Sequence, residues 1–167
     1  MPVTISVFDV FEIAEQIERN GAKFYRRAAE IVDDCEARKM FLKLAEWEVE
    51  HERIFAHMKK QLPEPNEESG TLGHQDDLPD PKVMAGLAVF GLRSDPFPEL
   101  GDGQSAEEIV RIALEKEKDS IVFYEGLKGF IAAGDSRDKI DDIIREEMRH
   151  IRILYESLNQ DVIAPLS

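Results

Sequence analysis

One set of chemistry-bearing residues occurs twice in this chain, at a fixed offset of 99 residues. Glu18 is followed by Phe24 and Tyr25, and then by Glu48 and His51. Glu117 is followed by Phe123 and Tyr124, and then by Glu147 and His150. Aligning residues 13–60 with 112–159 needs no gap. Ten positions are identical: Ile13/Ile112, Ala14/Ala113, Glu18/Glu117, Phe24/Phe123, Tyr25/Tyr124, Arg38/Arg137, Glu48/Glu147, His51/His150, Arg53/Arg152 and Ile54/Ile153. Ordinary composition supplies about three or four such matches by chance. The matches fall on groups able to bind metal and on their helix neighbours.

An isolated Glu-x-x-His on so acidic a chain would ordinarily be a solvated helix face. With only four histidines in the sequence, however, two have Glu three places earlier, and each also has a Glu-x5-Phe-Tyr element at the same distance upstream. Four long segments show helical spacing of apolar residues. They run over about Val7–Asp33, Cys35–Leu62, Ser105–Ala133 and Asp135–Gln160. Asp34 is placed to cap the second, and Pro63 to stop it. Ser105-Ala-Glu-Glu108 forms a capping box for the third, and Gly134 is expected to cap its end. In the first segment Phe11, Ala14, Ile17, Gly21, Phe24, Ala28 and Ile31 mark the inward face. The expected fold is all-α, an antiparallel four-helix bundle with internal two-fold pseudo-symmetry, folded as one domain.

Between the helix pairs 7–62 and 105–160 lies a different kind of sequence. Residues 63–104 hold six of the eight prolines and six of the ten glycines, with one apolar stretch, Val83–Leu92, expected to form a short helix or turn. Geometry accounts for its length. If the halves meet at one site from opposite directions, helix one runs antiparallel to helix three. The short links make each helix pair antiparallel, so helices two and three are parallel. Their connection must then travel the length of the bundle, about 40 Å for a helix of this size, whereas up-down-up-down topology needs only a short link.

On a helix, positions i and i+3 lie about 60° apart in angle and ~4.5 Å apart in rise. Glu48 with His51, and Glu147 with His150, can therefore grip ions from one face each, while Glu18 and Glu117 add a carboxylate each. Four carboxylates in a core are untenable unless neutralised, and two divalent cations balance them. Oxygen-rich donors with one imidazole per ion suit iron, or manganese. Cys35 is the only cysteine, so neither an intrachain disulfide nor a Cys-rich zinc or iron site can form within the chain. Tyr25 and Tyr124 lie two turns beyond Glu18 and Glu117, placed to donate hydrogen bonds to ligand carboxylates across the core. Glu46, Glu50, Glu52 and Glu146 are expected to be solvated, and Glu115 faces away from Glu117. His57 and His74 are expected at the surface, and Trp47 at the core edge or a subunit interface.

The formal net charge of −14 argues against nucleic acid and against an anionic membrane surface. No stretch approaches the ~20 apolar residues of a membrane span, and Met1–Val10 lacks signal-peptide character. The cytoplasm is the expected compartment.

These motifs resemble the ferritin-like superfamily, and within it the rubrerythrin-type di-iron proteins. The residues that carry the resemblance are Glu18 with Phe24-Tyr25, Glu48-Val-Glu-His51, Glu117 with Phe123-Tyr124 and Glu147-Met-Arg-His150. They span nearly the whole chain apart from the crossover. The resemblance implies two iron ions, with Glu18 and Glu117 as terminal ligands, Glu48 and Glu147 as bridging carboxylates, and His51 and His150 as imidazole ligands. It implies Fe(II) oxidation by oxygen or hydrogen peroxide, or peroxide reduction, with non-catalytic iron binding or storage as the alternative. A homodimer is the family expectation. Two departures stand out. No cysteine pairs are present to form a rubredoxin-type domain, so a separate electron donor such as a rubredoxin is implied. Leu114 and Ser120 flank Glu117 where rubrerythrins carry an additional glutamate. A ferritin-type fifth helix is likewise not expected.

Overall fold

The computed structural model describes residues 7–62, 100–131 and 133–160, with the side chain of Gln160 excepted. Four long helices account for most of them: α1 (Val7–Ile31), α2 (Cys35–Lys60), α3 (Ala106–Leu127) and α4 (Asp135–Gln160). Local chemistry sets several of the ends. The Asp34 side chain accepts a hydrogen bond from the Ala37 amide at 2.6 Å and opens α2. Ser105 and Glu108 form the reciprocal capping box that opens α3. Past the end of α1, Arg38 reaches back from α2 and donates to the carbonyls of Ala29 (3.2 Å) and Val32 (2.8 Å), groups that no further helical turn satisfies.

The third helix is shorter than its periodicity suggests. It stops at Leu127 and tightens into a 3-10 turn over Lys128–Phe130. Gly126 and Gly129 weaken helix propagation here, and the Lys128 ammonium is tied to Asp141 of α4 at 2.6 Å. Gly134 does not cap α3. It adopts φ +137, where glycine is favoured, and its carbonyl accepts from the amides of Arg137 (2.9 Å) and Asp138 (3.1 Å), so it begins α4 instead.

Side-chain pairings establish the helix directions. Lys59 meets Glu12 and Glu15, and Arg19 meets Glu52, so α1 and α2 are antiparallel. Tyr25 pairs with Glu117 and Tyr124 with Glu18, so α1 and α3 are antiparallel. His51 meets Glu147 while His150 meets Glu48, which makes α2 and α4 antiparallel. Lys128 near the end of α3 meets Asp141 near the start of α4, so that pair is antiparallel too. Helices α2 and α3 are therefore parallel, as the repeat requires. Residues 63–99 of the crossover, including the Val83–Leu92 stretch and His74, lie outside the described residues. Leu100, where the crossover arrives, is buried in a core cluster to which all four helices contribute.

The core is divided. One cluster gathers Phe24, Tyr25, Ala28, Phe41, Leu44, Ala45, Ile109, Val110, Ala113 and Leu154, with Ala29, Val32 and Leu100. The other gathers Phe123, Tyr124, Leu127, Ile140, Ile143, Ile144, Val10, Phe11, Ala14 and Phe55, with Met58. Adding or subtracting the 99-residue offset converts the first ten names into the second ten, one for one. The repeat thus extends to burial even where identity is lost, as in Phe41/Ile140 and Phe55/Leu154. In every helix the buried Glu and His residues lie between the segment that feeds one cluster and the segment that feeds the other.

Candidate metal centre

All six ligand candidates meet in the layer between the two clusters. Glu18, Glu48, His51, Glu117, Glu147 and His150 are each 5% exposed or less. They form two overlapping groups whose donor atoms lie within 4.8 Å of one another: Glu18, Glu48, His51 and Glu147, and then Glu48, Glu117, Glu147 and His150. The two carboxylates common to both groups are Glu48 and Glu147, the pair that the sequence resemblance marks as bridging. Both imidazoles present Nδ1 to the site. His51 Nδ1 lies 2.8 Å from Glu147 and 3.4 Å from Glu18. His150 Nδ1 lies 3.2 Å from Glu147, 3.3 Å from Glu48 and 3.5 Å from Glu117. The two rings are near-parallel, with centroids 5.6 Å apart.

These close approaches are not conventional hydrogen bonds. Glu18 Oε2, Glu48 Oε1, both Glu147 oxygens and the two Nδ1 atoms are buried without a hydrogen-bond partner. Unsatisfied buried polar atoms are rare and costly. Here they are concentrated at one point, which is what a site for cations requires. Without cations the cluster must hold protons. Burial, with the neighbouring carboxylates, pushes Glu48 and Glu117 well above the usual carboxylate range. Burial opposes a charged His51, but the carboxylates around it, Glu18 foremost, outweigh that and push it up to about 12. His150 is raised for the same reason.

Each terminal glutamate is also held from across the bundle: Glu18 through the oxygen that does not face His51, Glu117 through the same Oε1 that lies nearest His150. The Tyr25 hydroxyl donates to Glu117 Oε1, and the Tyr124 hydroxyl to Glu18 Oε1. Burial, and then the adjacent carboxylates, raise both phenols well above their ordinary value, so they remain donors. Each half therefore positions a carboxylate of the other half. Changing Tyr25 or Tyr124 to Phe is expected to weaken divalent-metal binding about 10-fold or more while leaving the helical content intact. Equilibrium dialysis with Co(II), compared with circular dichroism, checks this, and an unchanged affinity would contradict the role.

Two further features are not legible in the repeated motif. Gly21, read from sequence as part of the apolar face, lies against the site: a Cβ there would come 2.5 Å from Glu48 Oε2. The glycine is the space that this carboxylate occupies. Gly21→Ala forces the Glu48 carboxylate aside and should reduce metal affinity by about 10-fold, which calorimetric titration with Co(II) checks. The second feature is Glu146, which sequence analysis places in solvent. Although half-exposed, its Oε2 lies 2.8 Å from His51 Nε2. Spacing along one helix could not reveal this pair, because it depends on how α2 and α4 cross.

The remaining surface residues mostly behave as expected. Glu46, Glu50 and Glu115 are exposed, as is His57, while Glu52 is half-buried against Arg19. Cys35 is exposed at the start of α2. Trp47 is partly buried at the edge of the first cluster.

A crystal structure of a protein from Thermotoga maritima, described as a ferritin-like diiron-carboxylate protein, matches this chain with a TM-score of 0.64. The match covers 93% of this chain and 96% of the other, at 29% sequence identity. This chain has a ferritin-like fold. No protein-family model matches the sequence, and no curated protein does so. Within the ferritin-like bundle the paired Glu/His groups suit a two-metal centre: the donors number six, two carboxylates are shared, and the orphaned lone pairs converge. No helix among the described residues is long and apolar enough to cross a membrane.

Proposed function

We propose that Glu18, Glu48, His51, Glu117, Glu147 and His150 hold two iron ions, and that the protein oxidises Fe(II) with oxygen or hydrogen peroxide, or reduces peroxide. The observation that carries this reading is the sharing of Glu48 and Glu147 between two buried groups, each completed by one imidazole. Such a donor set favours iron or manganese over structural zinc, and the solved relative is itself described as a diiron-carboxylate protein. Two Fe(II) ions there would supply one electron each, so that one hydrogen peroxide and two protons leave as two waters.

The chain's own residues do the remaining work. Six protein ligands for two ions leave coordination positions open to a small oxidant. Tyr25 and Tyr124 hold the terminal carboxylates of Glu117 and Glu18 in place from across the bundle. Phe24, Phe41, Phe55 and Phe123 are fully buried in the clusters on either side and keep bulk water from the layer. A rubrerythrin-type peroxidase would need a separate electron donor, such as a rubredoxin, and the working form is proposed as a cytoplasmic homodimer.

Anaerobic loading of metal-free protein with Fe(II), followed by addition of oxygen or peroxide, tests the reading by absorbance. Two irons per chain and repeated oxidation on further Fe(II) additions are expected. Stoichiometric binding with no turnover would leave an iron-binding or storage protein. Failure to bind iron would remove the metal centre altogether.

A further inference from the structure

The 99-residue repeat is broken at the position that faces the two histidines from outside the ligand set. The residue just before the shared glutamate is Trp47 in the first half and Glu146 in the second. Both occupy the same place relative to the pseudo-two-fold, against the histidine of the opposite half. Trp47 stacks on His150, with ring centroids 5.2 Å apart and planes 11° apart. The Glu146 carboxylate instead meets His51 Nε2 at 2.8 Å.

Equivalent positions thus present an acceptor to one imidazole and an aromatic face to the other. Each histidine must keep the Nδ1 lone pair free to bind a cation, so its proton sits on Nε2. For His51 that N–H donates to Glu146, which fixes the tautomer and the ring plane and strengthens Nδ1 as a donor. Indole carries a donor and no acceptor, so Trp47 gives His150 a fixed ring plane without that assistance. Among the described residues no carboxylate meets His150 Nε2. Lys43 Nζ lies over the Trp47 ring at 5.3 Å, its charge paired with Glu46 at 2.9 Å.

We propose that the two metal positions are inequivalent, with Glu146 making the position of Glu18, Glu48, His51 and Glu147 the tighter one. Glu146 and Trp47 are positioning residues, each acting through the opposite half's histidine. This rests on the metal-centre reading above.

Calorimetric titration of the full-length, metal-free protein with Co(II) tests it. The wild type is expected to bind two ions in steps at least about 10-fold apart. Glu146→Gln, isosteric and half-exposed, should weaken the tighter step by about 10-fold and leave the other in place, so that the steps converge. Trp47→Ala should affect only the weaker step. Two indistinguishable steps in the wild type, equal weakening of both steps in Glu146→Gln, or no change in that variant would overturn the inequivalence while leaving a two-metal site standing. Absence of any Co(II) binding would instead overturn the metal centre itself.

Discussion

Stripping the metal from the saturated protein is expected to lower its melting temperature by about 10 °C or more. A ligand that binds only the folded state at 100 times its dissociation constant adds about 2.7 kcal/mol. Two ions therefore add about 5 kcal/mol, and in a chain of this size each kcal/mol moves the midpoint by about 2–4 °C. The structural cause is the layer of four buried carboxylates and two imidazoles. Cations satisfy its donors all together. Protons do so unevenly: burial and the neighbouring carboxylates push Glu48 and Glu117 up, whereas burial of Glu147 is outweighed by contacts with Glu117 and the two imidazoles, which hold it down. Calorimetric scans of the chelated and reloaded protein give the comparison, and coincident midpoints would falsify the coupling of metal to fold.

The second large effect concerns the shared carboxylates. Glu147→Ala removes a donor from both groups at once, and both ions should be weakened by more than about 100-fold, beyond the 10–100-fold typical of residues that only support a ligand. Glu48→Ala should behave alike. Glu18→Ala removes a donor from one group alone, so one ion per chain should remain bound. Elemental analysis after equilibrium dialysis counts the ions. A Glu147→Ala protein that still retains two ions would show that the carboxylate does not ligate either. If Glu18→Ala lost both, the division into two overlapping groups would be wrong.

Features carried by spacing within one helix were readable from the sequence. Glu-x-x-His places two donors on one face, Glu-x5-Phe-Tyr sets a hydroxyl two turns along, and the gapless repeat demands parallel α2 and α3. Contacts between helices were harder to read. The tyrosine hydroxyls are readable because two turns along from Glu18 and Glu117 keeps them on the face that meets the ligand carboxylates across the core. Glu146 is not, because symmetry gives the wrong guide there: its counterpart is Trp47. Gly21 reads as one more small residue on an apolar face, since a residue without a side chain gives no sign of the carboxylate filling its space. The end of α3 reads too long from periodicity alone, because a tertiary tie, Lys128 to Asp141, falls within a segment that two glycines already weaken.

The divided core has a consequence for the chain as a whole. Each hydrophobic cluster draws on all four helices, taking the opposite end of each. Neither helix hairpin owns a core, and each is left with two apolar ends and a polar middle until it meets its counterpart. The unit that folds is thus the embrace of two hairpins. In that sense the protein is a dimer of halves written as one polypeptide, in which Trp47 and Glu146 have been free to differ because a single chain, unlike two identical ones, need not be the same on both sides.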